Sequence, residues 1–232
     1  MKEQTNKYRH EIKYFISKRQ AAELRIFLKK NMCIDSNADI AGSYWIRSLY
    51  FDTVGNRDYY EKTMGYNIRK KIRLRIYDIS TTYVKLELKN KSDNYVLKET
   101  VTISREDANK LIKGDSNPLL NYNQKVANKI FVFMHHEIYQ PKVIIDYERE
   151  AYVYDIQNIR VTLDKNIHAS FSSWDLFKDG LSMVPVFNDD IYVLEIKYNF
   201  MLPIFLRRAL SNFTTQKSQI SKYCMGRNIL GI

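Results

Sequence analysis

Basic side chains recur at every second position along two neighbouring segments of the chain, which lie between Arg69 and Lys91. The charged positions of the first segment are Lys71, Arg73 and Arg75, and those of the second are Lys85, Glu87, Lys89 and Lys91. Because successive side chains of a β-strand point to opposite faces, each segment would have one charged face and one apolar face as a strand. Charged faces turned to bulk water would form an ordinary solvated sheet, whereas faces turned inward would line a basic cavity.

The same spacing of charged residues returns in segments that are far apart in the sequence. The further positions are Arg9, Glu11 and Lys13, the pair Glu195 and Lys197, and the single arginines Arg47, Arg149 and Arg160. The predicted helices have apolar stripes that need a sheet face to cover them, so we expect helices outside and charges on an inner, concave face. Because unpaired buried charge costs several kcal/mol per ion, such a cavity would stay wet, hold carboxylate partners or bind a polyanion.

A cavity of this composition suits phosphoryl transfer. Catalysis of that reaction consists mostly of positioning phosphate oxygens and neutralising their charge with Arg, Lys and a divalent metal ion. Arg offers phosphate a planar two-pronged fork, and Lys offers a mobile point charge. Glu11, Glu87 and Glu195 are candidate ligands for Mg²⁺ or Mn²⁺, which prefer oxygen atoms. The alternative, that these carboxylates only pair with neighbouring Lys and Arg, stays open on the sequence.

The composition is that of a folded, basic protein. The 232 residues carry a formal net charge of +11, which fits a polyanionic partner, and 45% of them are apolar, which excludes a disordered chain. No linker-like segment divides the sequence, so we expect one domain over 1–232. Cys33 and Cys224 have neither zinc-motif spacing nor enough partners for a disulfide framework. The sequence shows no signal peptide and no apolar run long enough to cross a bilayer, so we expect a cytoplasmic protein.

Eight strand-like segments and four or five helices predict an α+β fold. The strands are expected at 8–16, 44–51, 95–103, 142–151, 159–163 and 192–198, with two more within 69–91. Helices are expected after the N-cap residues Ser17 and Ser104, over 119–139, from Pro203 onward and over 218–225. Because turns rather than regular crossover helices separate most strands, we expect an antiparallel sheet or β-barrel with peripheral helices.

An ordered set of short motifs between residues 8 and 226 resembles a known family. The set is Arg9-x-Glu11-x-Lys13-Tyr14, Ser48-Leu49-Tyr50-Phe51-Asp52, Arg73-x-Arg75, Glu87-x-Lys89, Tyr147-x-Arg149, Arg160-x-x-x-Asp164, Leu194-Glu195-x-Lys197-Tyr198 and Ser221-Lys222-Tyr223. It is similar to the VTC domain, a relative of CYTH proteins among the triphosphate tunnel metalloenzymes. The resemblance implies a tunnel-shaped antiparallel barrel that makes inorganic polyphosphate from the γ-phosphate of ATP with a divalent metal, typically Mn²⁺.

The resemblance also implies roles for individual residues. The basic residues that match phosphate-binding positions of the tunnel are Lys13, Arg73, Arg75, Lys89, Arg149 and Arg160. Glu195 matches the metal-binding glutamate, and Lys222, preceded by Ser221, matches a lysine near the tunnel mouth. Further candidates for phosphate binding are Arg9, Arg47, Lys197 and Ser221. Lys71, Lys85 and Lys91 lie outside the matched positions, so we expect them at the rim or on the surface.

Two departures from the relatives refine these expectations. CYTH proteins begin with a paired-glutamate ExExK motif, whereas the first position here is Arg9, which favours a polymerase over triphosphatases and adenylate cyclases. Eukaryotic members carry an SPX domain and a membrane segment, neither of which is seen here. The resemblance therefore implies a stand-alone bacterial form, in the cytoplasm or peripheral at the inner face of the membrane, for which a separate membrane protein would be the partner.

Two alternatives to a polymerase remain on the sequence. A tripolyphosphatase or nucleoside triphosphatase of the same fold would hydrolyse the substrate and release free phosphate. A non-enzymatic module would bind polyphosphate or RNA, and the 18 Tyr residues could offer stacking surfaces for single strands. Because a nucleic-acid groove has little use for Glu11, Glu87 and Glu195 on its basic face, we expect ATP and polyphosphate, and no nucleic acid, as partners.

Overall fold

One antiparallel sheet organises the computed structural model, which describes residues 10–92, 95–213 and 219–231. Its eight long strands are β1 His10–Ser17, β3 Ser43–Thr53, β4 Ile68–Ile76, β5 Tyr83–Ser92, β6 Tyr95–Ser104, β7 Tyr139–Tyr154, β8 Ile159–Ser170 and β10 Ile191–Tyr198. They are ordered β1-β10-β8-β7-β3-β4-β5-β6, and the short strands β2 Cys33–Ile34 and β9 Val184–Pro185 pair with β7 and β8. The expected α+β class and antiparallel pairing are confirmed.

A closed barrel is not found. Within the described residues, β1 and β6 are the two edges of the hydrogen-bonded path, although they approach each other in space. Alternation of side chains tells which residues share a face, but closure needs backbone pairing between the first and last strands, which alternation does not encode. The sheet is therefore a curved, open one with a concave inner face.

Six α-helices surround the sheet, namely α1 Lys18–Asn31, α2 Arg57–Thr63, α3 Arg105–Ile112, α4 Lys125–His136, α5 Ile204–Ser211 and α6 Lys222–Ile229. The predicted capping residues are confirmed where α1 and α3 begin. Ser17 and Gln20 form a reciprocal capping box, and the Ser104 side chain accepts a hydrogen bond from the Asp107 backbone. Pro203 precedes α5, as its tolerance at a helix start predicts.

The helix expected over 119–139 is shorter than predicted. Asn117–Asn121 forms a 3₁₀ turn, α4 covers only Lys125–His136, and Tyr139 already begins β7. Ile138 takes a left-handed backbone conformation (φ 50°), which ends the helical path and directs the chain into the strand. The last helix starts later than expected, at Lys222, and residue 218 of that prediction lies outside the described residues.

Apolar side chains form three clusters that hold the helices to the sheet. The outer faces of β3 to β7 pack on α3 and α4, and those of β1, β8 and β10 pack on α1 and α5. The third cluster lies on the concave side and joins α6 to β3, β7 and β8. At its centre, a Cβ on Gly226 would lie 2.3 Å from Ile145 Cδ1, so α6 approaches the sheet where only glycine fits.

Among the described residues, none of the helices combines the length and the apolar character that crossing a membrane would require.

Candidate functional site

The concave face of the sheet encloses a basic cavity of about 1100 Å³. Its described lining includes the carboxylates of Glu11, Glu87 and Glu195 and fifteen basic side chains, namely Lys13, Lys62, Arg69, Lys70, Lys71, Arg73, Arg75, Lys85, Lys89, Lys91, Lys98, Arg149, Arg160, Lys197 and Lys222. The charged faces of β4 and β5 thus point inward, while Ile72, Leu74 and Ile76 are buried in the outer apolar layer. This arrangement excludes an ordinary solvated sheet face.

Two carboxylates share one lysine where β1 meets β10. Register places Lys13 opposite Glu195 and Glu11 opposite Lys197. Lys13 Nζ lies 3.0 Å from Glu11 Oε1 and 3.2 Å from Glu195 Oε1, and Lys197 Nζ lies 2.9 Å from Glu195 Oε2. Lys89 of β5 donates to both Glu11 oxygens at 2.8 Å, which connects the two sides of the cavity.

The electrostatics of this group keep both carboxylates ionised. Burial and the neighbouring Glu195 raise the pKa of Glu11, but Lys89, Lys13 and Lys197 outweigh them and lower it to about 2. Burial likewise opposes ionisation of Glu195, and Lys13 and Lys197 still hold its pKa well below the usual value. Burial lowers the pKa of Lys197 to about 7, because the attraction of Glu195 and Glu11 compensates only in part.

Glu87 belongs to a different group of cations. Its Oε2 lies 2.6 Å from Arg73 Nη2, and its Oε1 accepts from Lys98 Nζ at 2.9 Å. Arg73 also donates to the Tyr50 hydroxyl at 2.9 Å, and Arg75 donates to the Tyr147 hydroxyl at 3.1 Å. Glu87 therefore orients Arg73 and Arg75, the two arginines of β4. This is the pairing with neighbouring Lys and Arg that the sequence left open as an alternative to metal binding.

Asp164 performs the same task on the other side of the cavity. It is fully buried, and its two oxygens accept from Arg149 at 2.6 and 2.8 Å. Lys222, the first residue of α6, also donates to Asp164 and lies 4.6 Å from the centre of the Tyr147 ring. Asp164 was part of the motif set but was given no role there, because a carboxylate behind a basic residue leaves no distinctive spacing in the sequence.

Arg160 lies at one end of the cavity. It forms an ion pair with Asp35 at 2.6 Å and donates to the Tyr44 hydroxyl at 2.8 Å. The Tyr44 ring lies 6.0 Å from that of Tyr77, and Lys85 lies 4.9 Å from the Tyr77 ring. This end combines cations with aromatic rings.

Most of the candidates from the sequence come together in the cavity, but Arg47 does not. It lies on the opposite face of β3 from Tyr50, where it forms an ion pair with Asp146 at 2.8 Å and donates to the Lys178 carbonyl at 2.6 Å. Arg47 has an odd residue number, whereas the even-numbered residues of β3 face the cavity. The prediction that Arg47 binds phosphate in the cavity is therefore corrected. Arg9 lies outside the described residues.

Lys71 is the second correction. It was expected at the rim or surface, yet it points into the cavity and donates to Ser221 Oγ at 2.6 Å. Lys85 and Lys91 also line the cavity, as does Lys98, which the sequence analysis did not single out.

Glu11 and Glu195 are the two carboxylates of the cavity that could hold a divalent cation together. Both carboxylates already share the Lys13 ammonium, so their oxygens converge on a position for positive charge. No group of three or more His, Cys, Asp or Glu in the described part of the chain could hold a metal by itself. Mg²⁺ and similar ions commonly take one or two carboxylates and complete their shell with water and substrate phosphate, which suits such a pair. Glu87, the third carboxylate predicted as a metal ligand, is paired with Arg73 and Lys98.

Comparison with solved structures shows the fold. A candidate adenylate cyclase (bh2851) from Bacillus halodurans superposes with a TM-score of 0.58 at 13% identity, covering 93% of this chain and 94% of that one. The candidate adenylyl cyclase HpAC1 from Hippeastrum, described as having a dominant triphosphatase activity, gives 0.57 at 15% identity, covering 95% of each chain. These likenesses show the triphosphate tunnel (CYTH-like) fold.

A search of curated proteins finds no match to this sequence. The profile of the VTC domain, in contrast, matches residues 8–231, nearly the whole chain. The match agrees with the ordered motifs and with the inward-facing cations. The chain therefore belongs to the VTC domain family.

Proposed function

We propose that this protein is a polyphosphate polymerase, which transfers the γ-phosphate of ATP to the end of a growing inorganic polyphosphate chain inside the cavity. The observation that carries the proposal is the lining of the cavity, in which fifteen basic residues stand against three carboxylates. Such an excess of positive charge in a partly desolvated site favours a ligand with several phosphate groups. Membership of the VTC domain family supports the same conclusion.

The reaction needs no side-chain nucleophile, because the acceptor is itself a phosphate. A terminal oxygen of the chain attacks the γ-phosphorus of ATP, the bond from that phosphorus to the β,γ-bridging oxygen breaks, and ADP leaves with the electron pair. Arg73, Arg75 and Arg149 would bind the triphosphate oxygens as the charge redistributes. Lys13 and Lys222 would add mobile charge, and Glu87 and Asp164 would keep the arginines in place.

A divalent cation held by Glu195 and Glu11, Mn²⁺ or Mg²⁺, would supply further neutralisation of phosphate charge. The protein's own side chains would fix the direction in which the substrate lies along the cavity. The basic residues of the lining come from β1, β4, β5, β6, β7, β8, β10, α2 and α6, so a bound triphosphate would be contacted from several sides.

The test is an incubation of the purified chain with ATP and Mn²⁺. We expect an electrophoretic ladder of polyphosphate together with ADP, and a loss of about 100-fold in rate for Arg73→Gln, since removing one donor to a transition-state oxygen typically costs that much. Arg19→Gln, a control at a side chain that is 89% exposed on α1, should leave the rate unchanged. Free phosphate without polymer would indicate a triphosphatase, and neither product would indicate a binding module; both results contradict polymerisation.

A further inference from the structure

Large apolar side chains are exposed where β10 connects to α5, outside the basic cavity. Phe200 is 81% exposed, Met201 64% and Ile204 61%, and none of the three belongs to the described lining of the cavity. Single exposed apolar side chains are normal on a protein surface. A group of them in one short stretch of chain indicates a surface that contacts a partner protein or a membrane.

The opposite side of α5 fixes how the helix presents its residues. Leu206 and Leu210 are buried in the apolar cluster that joins α5 to α1 and to the sheet. Because residues four positions apart share one face of a helix, Ile204 and Arg208 lie together on the face turned away from that cluster. Arg207 is next to them and is also exposed. The outer face of α5 thus combines an apolar side chain with two cations.

The two arginines of α5 carry positive charge that the described part of the protein does not compensate. Neither Arg207 nor Arg208 forms an ion pair with a carboxylate within residues 10–92, 95–213 and 219–231. The sequence contributes to this, because no Asp or Glu follows Glu195. We call the residues that combine exposed apolar character with this charge the α5 surface, namely Phe200, Met201, Ile204, Arg207 and Arg208.

The neighbourhood of the α5 surface adds further positive charge. The Phe205 ring lies 6.4 Å from that of Phe27, and the exposed Lys30 follows Phe27 by about one helical turn of α1. On its other side the Phe205 ring lies 5.6 Å from that of Tyr154, which the exposed Asp155 follows in the sequence. One carboxylate therefore stands against Lys30 and the two arginines of α5, and the region stays positive.

We propose that the α5 surface binds an anionic lipid bilayer. Phe200, Met201 and Ile204 would enter the boundary between headgroups and acyl chains, and Arg207 and Arg208 would contact the lipid phosphates. Side chains that are so exposed project from the protein, and a bilayer, unlike a folded partner, offers them apolar volume without a pocket of matching shape. The inference is independent of the reaction, because none of the five residues belongs to the described lining of the cavity.

The test is co-sedimentation of the full chain with vesicles of phosphatidylcholine, with or without phosphatidylserine. We expect binding to the mixed vesicles and much weaker binding to phosphatidylcholine alone. The variant Arg207→Gln, Arg208→Gln should lose roughly 30-fold in partition coefficient, because each basic residue at an anionic surface contributes about fivefold. The variant Phe200→Ser, Met201→Ser, Ile204→Ser should lose at least about tenfold, since burial of one such side chain is worth that much.

Two control variants match these changes on the other side of the sheet or in loops. Lys113→Gln, Lys125→Gln removes the same charge from exposed positions after α3 and at the start of α4. Ile40→Ser, Leu120→Ser, Val132→Ser removes three exposed apolar side chains. Both controls should bind the mixed vesicles as the wild type does. Thermal unfolding and tripolyphosphate affinity should be unchanged in all four variants, which checks that each is folded.

Several results would overturn the proposal. Absence of wild-type binding would exclude a lipid surface, and unchanged binding in both α5 variants would place lipid contact elsewhere. Losses of the same size in the charge control would show attraction by net charge alone. Sedimentation velocity without lipid tests the other occupant: self-association that disappears in the apolar variant would make the α5 surface an interface between two copies. Because the assay involves no turnover, its result stands whether or not the chain polymerises phosphate.

Discussion

At the scale of single residues, the pKa of Tyr50 shows how strongly the arginine charges act inside the cavity. Burial would raise the pKa of its phenol, but the charges of Arg73 and Arg75 and the hydrogen bond from Arg73 outweigh burial and lower it to about 8. Above that pH, a phenolate beside Arg73 would compete with phosphate for the guanidinium. Because the folded state then binds fewer protons than the unfolded chain, the contribution of this group to stability is fully present above the ordinary phenol pKa of about 10 and is lost as pH falls through about 8.

We therefore predict that tripolyphosphate affinity falls as pH rises through about 8, and falls less in Tyr50→Phe. The variant cannot form the phenolate, so the difference between the two profiles isolates Tyr50 from the lysines that also lose charge in this range. Calorimetric titration at several pH values and constant ionic strength measures it. Parallel profiles for wild type and variant would show that Tyr50 stays protonated.

Glu87 provides the second prediction at this scale. It is 1% exposed and lies beside Arg73, Arg75 and Lys98, so Glu87→Gln leaves these three cations without their buried carboxylate. Breaking a buried ion pair from one side costs roughly 3 kcal/mol, which should appear as reduced thermal stability. Tripolyphosphate should raise the unfolding temperature more in the variant than in the wild type, because a bound anion restores the missing charge.

The same variant separates the two roles considered for Glu87. Since Glu87 orients arginines, Mn²⁺ affinity should change little in Glu87→Gln, whereas Glu195→Gln should lose it. Loss of Mn²⁺ binding in Glu87→Gln to the same degree would assign Glu87 to the metal.

The sequence predicted much of the site at this scale, because strand alternation fixes which side chains share a face. Arg73, Arg75, Lys89 and Lys13 follow from it directly. Alternation says nothing about depth, so Lys71 was placed at the rim although it lies inside. Arg47 was grouped with the inner cations because of its charge. Its position in β3 was the better guide, since it alternates with Ser48 and Tyr50 and therefore points to the opposite face of the strand.

At the scale of elements, α6 packs on the concave side of the sheet and brings Lys222 into the cavity. Tyr223 donates to Asp52 and Gly226 packs on Ile145, so both hold the helix that presents Lys222. In Gly226→Ala the new Cβ would meet Ile145 Cδ1 at 2.3 Å, and α6 must shift.

We predict that Gly226→Ala loses about 1–3 kcal/mol of stability, as overpacked sites do, together with part of its tripolyphosphate affinity. Denaturant unfolding and ligand titration measure the two effects. Gly55→Ala is the matched control, since no atom lies within 4 Å of its added Cβ. Unchanged affinity in a destabilised Gly226→Ala would show that the position of α6 does not matter for binding.

The start of α2 carries a carboxylate whose ionisation opposes folding. Asp58 is fully buried; burial and the nearby Asp52 raise its pKa to about 7, and its Oδ2 has no hydrogen-bond partner among the described residues. The folded state holds this proton more tightly than the unfolded chain does. Its contribution to stability is therefore present below the unfolded pKa near 4 and is lost as pH rises to about 7.

Asp58→Asn should remove this loss, because the amide oxygen can still accept from Tyr139, as Asp58 does at 2.9 Å. We predict that the variant is more stable than the wild type by about 2 kcal/mol at pH 8 and that the difference shrinks toward pH 5. Urea unfolding at the two pH values measures it. A difference that did not vary with pH would show that Asp58 does not change its protonation over this range.

Helix starts were predictable at this scale, and helix ends were not. Ser17, Ser104 and Pro203 have local chemistry that marks a start wherever it occurs. The end of α4 depends on Ile138 in a left-handed conformation, which its residue type disfavours and which only the pairing of β7 with its neighbours explains.

At the scale of the whole molecule, the outer apolar layer and the inner basic face require each other. The outer helices α1, α3, α4 and α5 cover the apolar side of the strands that they reach, which leaves the charged side for the concave face. The sequence predicted this division from the stripes of the helices and the alternation of the strands. The strand pattern left open whether the sheet closes, because closure depends on contacts between β1 and β6, which are remote in sequence, and the closed barrel that the resemblance implied is not found.

The most direct measurement is a crystal structure of the protein with tripolyphosphate. We predict phosphate groups within hydrogen-bond distance of Arg73 and Arg75 on β4 and of Arg149 on β7, with Lys222 of α6 at the same ligand. Tripolyphosphate on the outer surface, with the cavity free of it under saturating conditions, would contradict the account.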